Sequence, residues 1–108
     1  MEKVYLLVDY TIIDEEYCDD SWYRTTVLGV FSTFDKAYDT LKNSPATDLL
    51  KDYYIEEYGL VESDEIKETE FCGKKEMHRF IDHGDGWTNC MDEIYIEEAP
   101  LDKLVRGE

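Results

Sequence analysis

The sequence predicts an α+β domain: an antiparallel sheet of about four strands with one main helix packed on one face. Three observations carry this expectation. Two runs rich in β-branched and aromatic residues open the chain, KVYLLVDYTII (3–13) and WYRTTVLGVF (22–31). A single segment, FSTFDKAYDTLKN (31–43), switches to helical spacing. Two later runs, DYYIEEYGLV (52–61) and DEIYIEEAPL (92–101), return to the two-residue alternation of a strand.

In the first run, Val4, Leu6, Val8 and Tyr10 share one face, and Tyr5, Leu7, Asp9 and Thr11 the other. A run this apolar, broken only by Asp9, belongs inside a sheet. DEEYCDDS (14–21) reads as a solvated loop, so the first two strands pair as a hairpin with a long acidic tip. Gly29 marks a bulge or a close helix contact. Ser32 or Thr33 caps the helix, with Asp35 in its first turn facing the positive end of the dipole. Phe34, Ala37, Tyr38 and Leu41 then form one stripe toward the sheet. Asn43, Ser44 and Pro45 end the helix, and a short helical turn follows over Thr47–Lys51. The third strand is 52–61. ESDEIKETE (62–70), nearly all charged, reads as a loop or strand end. Phe71, Met77, Phe80 and Ile81 give a weak helical stripe, HGDGW (83–87) a turn, and 92–101 a last strand ended or placed at an edge by Pro100. YIEEYGL (54–60) and YIEEAPL (95–101) echo each other over too few residues to define a repeat.

With 108 residues the chain is read as one domain, a β–β–α–β unit over 3–62 and a C-terminal extension over 63–108. Its acidic residues outnumber its basic ones 27 to 11, for a net charge of −16. The excess is no tail: residues 1–31 carry −5, 32–62 carry −4 and 63–108 carry −7. Such a balance argues against direct binding to nucleic acid or anionic lipid, both of which need Lys and Arg clusters. Nine tyrosines and 14% aromatic content argue against disorder. No membrane span or secretory leader is read, and three cysteines at irregular spacing suggest no disulfide framework. A bacterial cytoplasmic location is expected.

The motifs that could carry chemistry are sparse. Cys72, His78, His83 and Cys90 have the residue types of a zinc site but lack a close cysteine pair, and no metal or other cofactor is expected. A Cys72 nucleophile with His78 or His83 would sit in negative surroundings that oppose thiolate formation. DHGDG (82–86) lacks the register of a calcium loop, and no phosphate-cradling glycine loop occurs. A non-enzyme is expected.

The segments KVYLLVDY, VLGVFSTFDKAYDTL and YYIEEYGL together resemble a group of small uncharacterised bacterial and phage proteins, over residues 3–62. The resemblance implies a β–β–α–β unit and no catalytic residues. It also makes a nuclease or a host defence complex, such as a CRISPR effector, the expected class of partner. The acidic surface points to the same kind of partner, a basic nucleic-acid-binding protein. Asp14, Glu15, Glu16, Asp19 and Asp20, flanked by Tyr17 and Trp22, form one candidate binding cluster. Glu62, Asp64, Glu65, Glu68 and Glu70 form a second, which Glu97 and Glu98 join across the sheet. The function expected is therefore an acidic, anti-CRISPR-like inhibitor that imitates the charge of nucleic acid and blocks a basic groove. The alternative is a regulatory or structural module that binds through an exposed sheet edge, its acidity incidental; such an edge also allows a homodimer.

Overall fold

The computed structural model describes residues 3–15, 21–50, 61–84 and 88–100. Their element order is β1 (Lys3–Glu15), β2 (Ser21–Phe31), α1 (Phe34–Asn43), α2 (Ala46–Leu50), β3 (Val61–Phe71), β4 (Lys74–Gly84) and β5 (Thr88–Pro100). The sheet has five strands in the order β2-β1-β5-β4-β3, every neighbouring pair antiparallel. The expectation of about four strands is thus corrected to five, and strand dominates the described residues. First and last strands pair along their whole length, from Lys3↔Pro100 to Glu15↔Thr88. That pairing ties the N-terminal and C-terminal hairpins into one sheet.

The extra strands come from the segments read as loop and weak helix. ESDEIKETE lies within β3, and most of 71–81 lies in β4. Phe71 and Lys74 pair across a two-residue turn in which Cys72 and Gly73 have φ of 53° and 76°. Positive φ at both central positions is what a tight hairpin turn of matching twist requires. His83 and Gly84, expected in a turn, end β4 instead. The third strand expected at 52–61 lies outside the described residues except for Val61, which begins β3, so its echo of β5 lies outside them too.

The helix forms where its spacing predicts. Thr33 caps α1, its hydroxyl accepting from the Lys36 N–H at 3.2 Å. Ala37 and Leu41 are fully buried, while Phe34 and Tyr38 sit at the margin. Pro45 stops α1, and its carbonyl accepts the first bonds of α2 from the Asp48 and Leu49 N–H groups. Both helices lie on the sheet face that carries Leu7, Met77, Ile81 and Ile94, and these residues with Leu41 and Leu49 make the core. The register slips between Leu7 and Val8 opposite Leu28, next to Gly29. A Cβ on Gly29 would meet the Phe31 ring at 3.0 Å, so the missing side chain lets that ring lie across the strand toward the core.

Arg79 fixes α1 to the sheet. Its Nε and Nη2 donate to the two Asp64 oxygens at 2.8 and 2.6 Å. Its Nη1 donates to the carbonyls of Leu41 and Ser44 at 2.9 and 2.6 Å. Carbonyls at a helix C-terminus have no partner within the helix, and a buried guanidinium supplies both hydrogen bonds and the favoured charge.

The second sheet face has no described element packed on it. It carries Val4, Leu6, Val8, Tyr10 and Ile12 of β1, opposite Val30, Val27, Thr25 and Tyr23 of β2. Tyr23, Val27 and Val30 are 64%, 53% and 61% exposed. Tyr10 stacks on Tyr23, and His78 stacks between Phe80 and Tyr95.

Candidate functional site

The acidic residues singled out in the sequence fall at several places. Asp14, Glu15 and Trp22 lie at the β1–β2 end of the sheet by backbone register, and Glu16, Tyr17, Asp19 and Asp20 lie outside the described residues. The row Trp22–Ile13–Cys90–His83–Val61 crosses all five strands. The Asp14–Ser21 end of the β1–β2 pair and the start of β3 therefore share one end of the sheet, with β2 and β3 on opposite edges roughly 19 Å apart at four strand spacings. Glu62 and Glu65 are exposed there. Asp64 faces inward to Arg79 at 2.6 Å. Glu97 and Glu98 lie toward the other end of β5, the end at which β3 carries Glu68 and Glu70, with β4 between them. Glu98 pairs with Lys3 at 2.7 Å. The described acids of β3 fall on both sheet faces, Glu65 opposite Phe80 and Glu68 opposite Met77.

A smaller group does converge. Between α1 and the β3–β4 hairpin lies an open cleft of about 490 Å³, lined by Phe34, Tyr38 and Met77 and by the carboxylates of Asp35, Glu68, Glu70 and Glu76, with Lys75 among them. The Tyr38 hydroxyl donates to Glu68 Oε1, which fixes one wall to the other. Glu68 and Glu70 belong to the second sequence cluster. Asp35 and Glu76 were not singled out, because only the pairing of β3 with β4 and the seating of α1 bring them beside it. The cleft combines aromatic walls with four carboxylates, which is chemistry suited to lysine and arginine side chains.

A second constellation is buried on the helix side of the sheet. His83 and Cys90 face each other across β4 and β5, and Asp92 lies two residues further on the same face. His83 Nε2 and Asp92 Oδ2 are 2.5 Å apart. Thr11 Oγ1 donates to Asp92 Oδ1 at 2.6 Å and lies 3.2 Å from Asp9 Oδ2. Asp9, Thr11, His83 and Asp92 are each no more than 5% exposed. Asp9 Oδ1 has no hydrogen-bond partner among the described residues.

Charge in this cluster is set by its neighbours. Burial raises the Asp9 carboxyl to about 8, helped by the adjacent Asp92 carboxylate. Burial alone would lower His83, but its contacts with Asp92 and Cys90 outweigh it and raise the imidazole to about 10. Asp92 is likewise opposed by burial, and the hydrogen bond from His83 holds it below the usual carboxylate value. Protonation is therefore favoured at Asp9 and His83 and opposed at Asp92.

Of the four residues weighed as zinc ligands, His83 and Cys90 meet. Cys72 sits exposed in the β3–β4 turn, and His78 points to the opposite face, where Nδ1 lies 2.8 Å from Glu93. Asp92 was missed because its neighbours in DEIYIEEAPL read as a solvated strand. The usable signal was its spacing of two from Cys90, which places both on one strand face.

Comparison with family models, curated proteins and solved structures finds no match to this chain.

Proposed function

We propose that the chain is a non-enzymatic binding protein that takes basic side chains of a protein partner into the cleft between α1 and the β3–β4 hairpin. The observation that carries this reading is the convergence of Asp35, Glu68, Glu70 and Glu76 around the aromatic walls of Phe34 and Tyr38. Carboxylates recognise guanidinium groups by paired hydrogen bonds, and aromatic faces hold the same cations. The cleft lies within the 300–1,000 Å³ range, roughly, of ligand-binding clefts and is open enough to admit side chains from another chain. The remaining acids around the sheet extend the negative field and speed encounter with a cationic surface.

A basic surface that fits this cleft is one that also attracts phosphates, so binding competes with nucleic acid. A nuclease or other defence complex is the partner class to test first, as the resemblance to phage proteins implies. The test is capture of nucleic-acid-binding proteins from a bacterial lysate, eluted either with duplex DNA or with salt, by the wild-type chain and by a Glu70→Lys/Glu76→Lys variant. The expected result is elution by both agents and loss of capture by the variant. Capture that survives both the double reversal and about 0.5 M salt, where the screening length is only about 4 Å, would refute the reading.

The sheet face on which no described element packs favours a second reading, a module that docks through apolar contact. Tyr23, Val27 and Val30 would be its centre. Val27→Lys separates the two: it abolishes face docking and leaves cleft binding intact.

A further inference from the structure

We propose that His83, Cys90 and Asp92 form a binding site for one Zn²⁺ ion. The imidazole, thiol and carboxylate ligand atoms of these residues all lie within 4.8 Å of one another. Three protein ligands of this mixed kind leave a fourth tetrahedral position for water or another donor.

The sheet supplies the geometry. His83 and Cys90 are direct cross-strand partners, and Asp92 follows Cys90 by two residues on the same face. Such neighbours are about 5 Å apart across the strands and about 6.7 Å apart along one, which lets three side chains reach a common point. Metal–ligand bonds of about 2.0–2.3 Å place ligand atoms roughly 3.3–3.6 Å apart, so capture needs movements on the order of 1 Å. The His83–Asp92 contact, now 2.5 Å, opens to admit the ion, which displaces the imidazole and thiol protons to solvent.

The surroundings resemble the outer shell of a metal site. Thr11 holds Asp92 Oδ1, leaving Oδ2 directed at His83. Beside it lies Asp9, 5% exposed and with one oxygen that has no partner among the described residues. The thiol and imidazole select zinc over calcium and magnesium, which prefer all-oxygen ligand sets. This separates the site from general cation attraction by an acidic surface. The site is independent of the proposed binding cleft, from which it shares no residue.

Chelator-treated protein should bind one Zn²⁺ by calorimetry, with no comparable binding of Ca²⁺ or Mg²⁺. Co²⁺ in place of zinc should give a thiolate-to-metal charge-transfer band that Cys90→Ser removes and Cys72→Ser retains. Thr11→Val should weaken zinc binding by about 10–100-fold, the usual effect of losing an outer-shell partner. Because Cys90→Ser could unfold the chain, alkylation of the wild-type protein followed by mass spectrometry supplies an independent readout. Zinc should protect Cys90 and leave Cys72 reactive. Equal alkylation of Cys90 with and without zinc, absence of the cobalt band, or equal affinity for Ca²⁺ would each overturn the proposal.

Discussion

Two buried polar side chains decide how individual residues hold this structure together. Arg79 joins β4 to Asp64 of β3 and to the last carbonyls of α1, so its loss strands groups on two other elements. Removing one member of a buried ion pair costs about 3–5 kcal/mol; because Asp64 is 31% exposed, Arg79→Met should destabilise by the lower figure or less. Arg79→Lys should recover little, since an ammonium cannot form the paired contact and cap the helix together. Urea unfolding of both variants checks this. The second is His83, which makes the chelated protein pH-sensitive. Its imidazole is raised from 6.5 to about 10, so its stabilisation is complete below pH 6.5 and is lost as pH rises toward 10. Asp9, raised from 3.8 to about 8, has the same sign: the folded state binds the extra proton, and stability falls as pH rises through that interval. Asp92, lowered, contributes above 3.8 and loses its contribution as pH falls. Stability in chelator should therefore peak in mildly acidic solution. Asp9→Asn should flatten its decline between about pH 4 and 8 in urea titrations, since it removes that linkage.

At the scale of elements, the β3–β4 hairpin turns on a residue that fits its conformation poorly. Cys72 adopts φ of 53° ahead of Gly73, a region that Asn tolerates better than Cys. Cys72→Asn creates an Asn-Gly turn and should raise stability by roughly 0.5–1 kcal/mol, measured by chemical denaturation, with no change in the cleft. The same hairpin shows where sequence reasoning stopped. The helix was legible because Thr33, Phe34, Ala37, Tyr38 and Leu41 combine a cap with one apolar stripe. β1 and β2 were legible from β-branched alternation. In β4 the inward row is Met77, Arg79, Ile81 and His83, so two polar residues interrupt the apolar period, although both are buried through tertiary partners. In β3 the inward row includes Asp64 and Glu68, whose partners Arg79 and Tyr38 are distant in sequence. Local alternation cannot reveal a strand whose inward side chains are ionic. The same blindness hid the cleft and the His83–Cys90–Asp92 cluster, both of which exist only once the strands are paired.

For the whole molecule the governing quantity is the net charge of −16 on 108 residues. Most described acids other than the buried Asp9 and Asp92 and the ion-paired Asp64, Glu93 and Glu98 are exposed, so their mutual repulsion is screened by salt in the folded state. Unfolding lets the same charges separate, which makes repulsion a destabilising force at low ionic strength. Folding and partner binding should then respond to salt with opposite signs. Between about 10 mM and 0.5 M NaCl the screening length falls from roughly 30 to 4 Å, and the melting temperature should rise across that range. Capture of a basic partner should weaken over the same range, because the attraction that steers encounter is screened as well. Differential scanning fluorimetry and salt-dependent binding on one preparation test both halves. A melting temperature that falls with salt would mean that local ion pairs such as Arg79–Asp64 outweigh the long-range repulsion. A flat binding profile would instead assign recognition to the apolar sheet face.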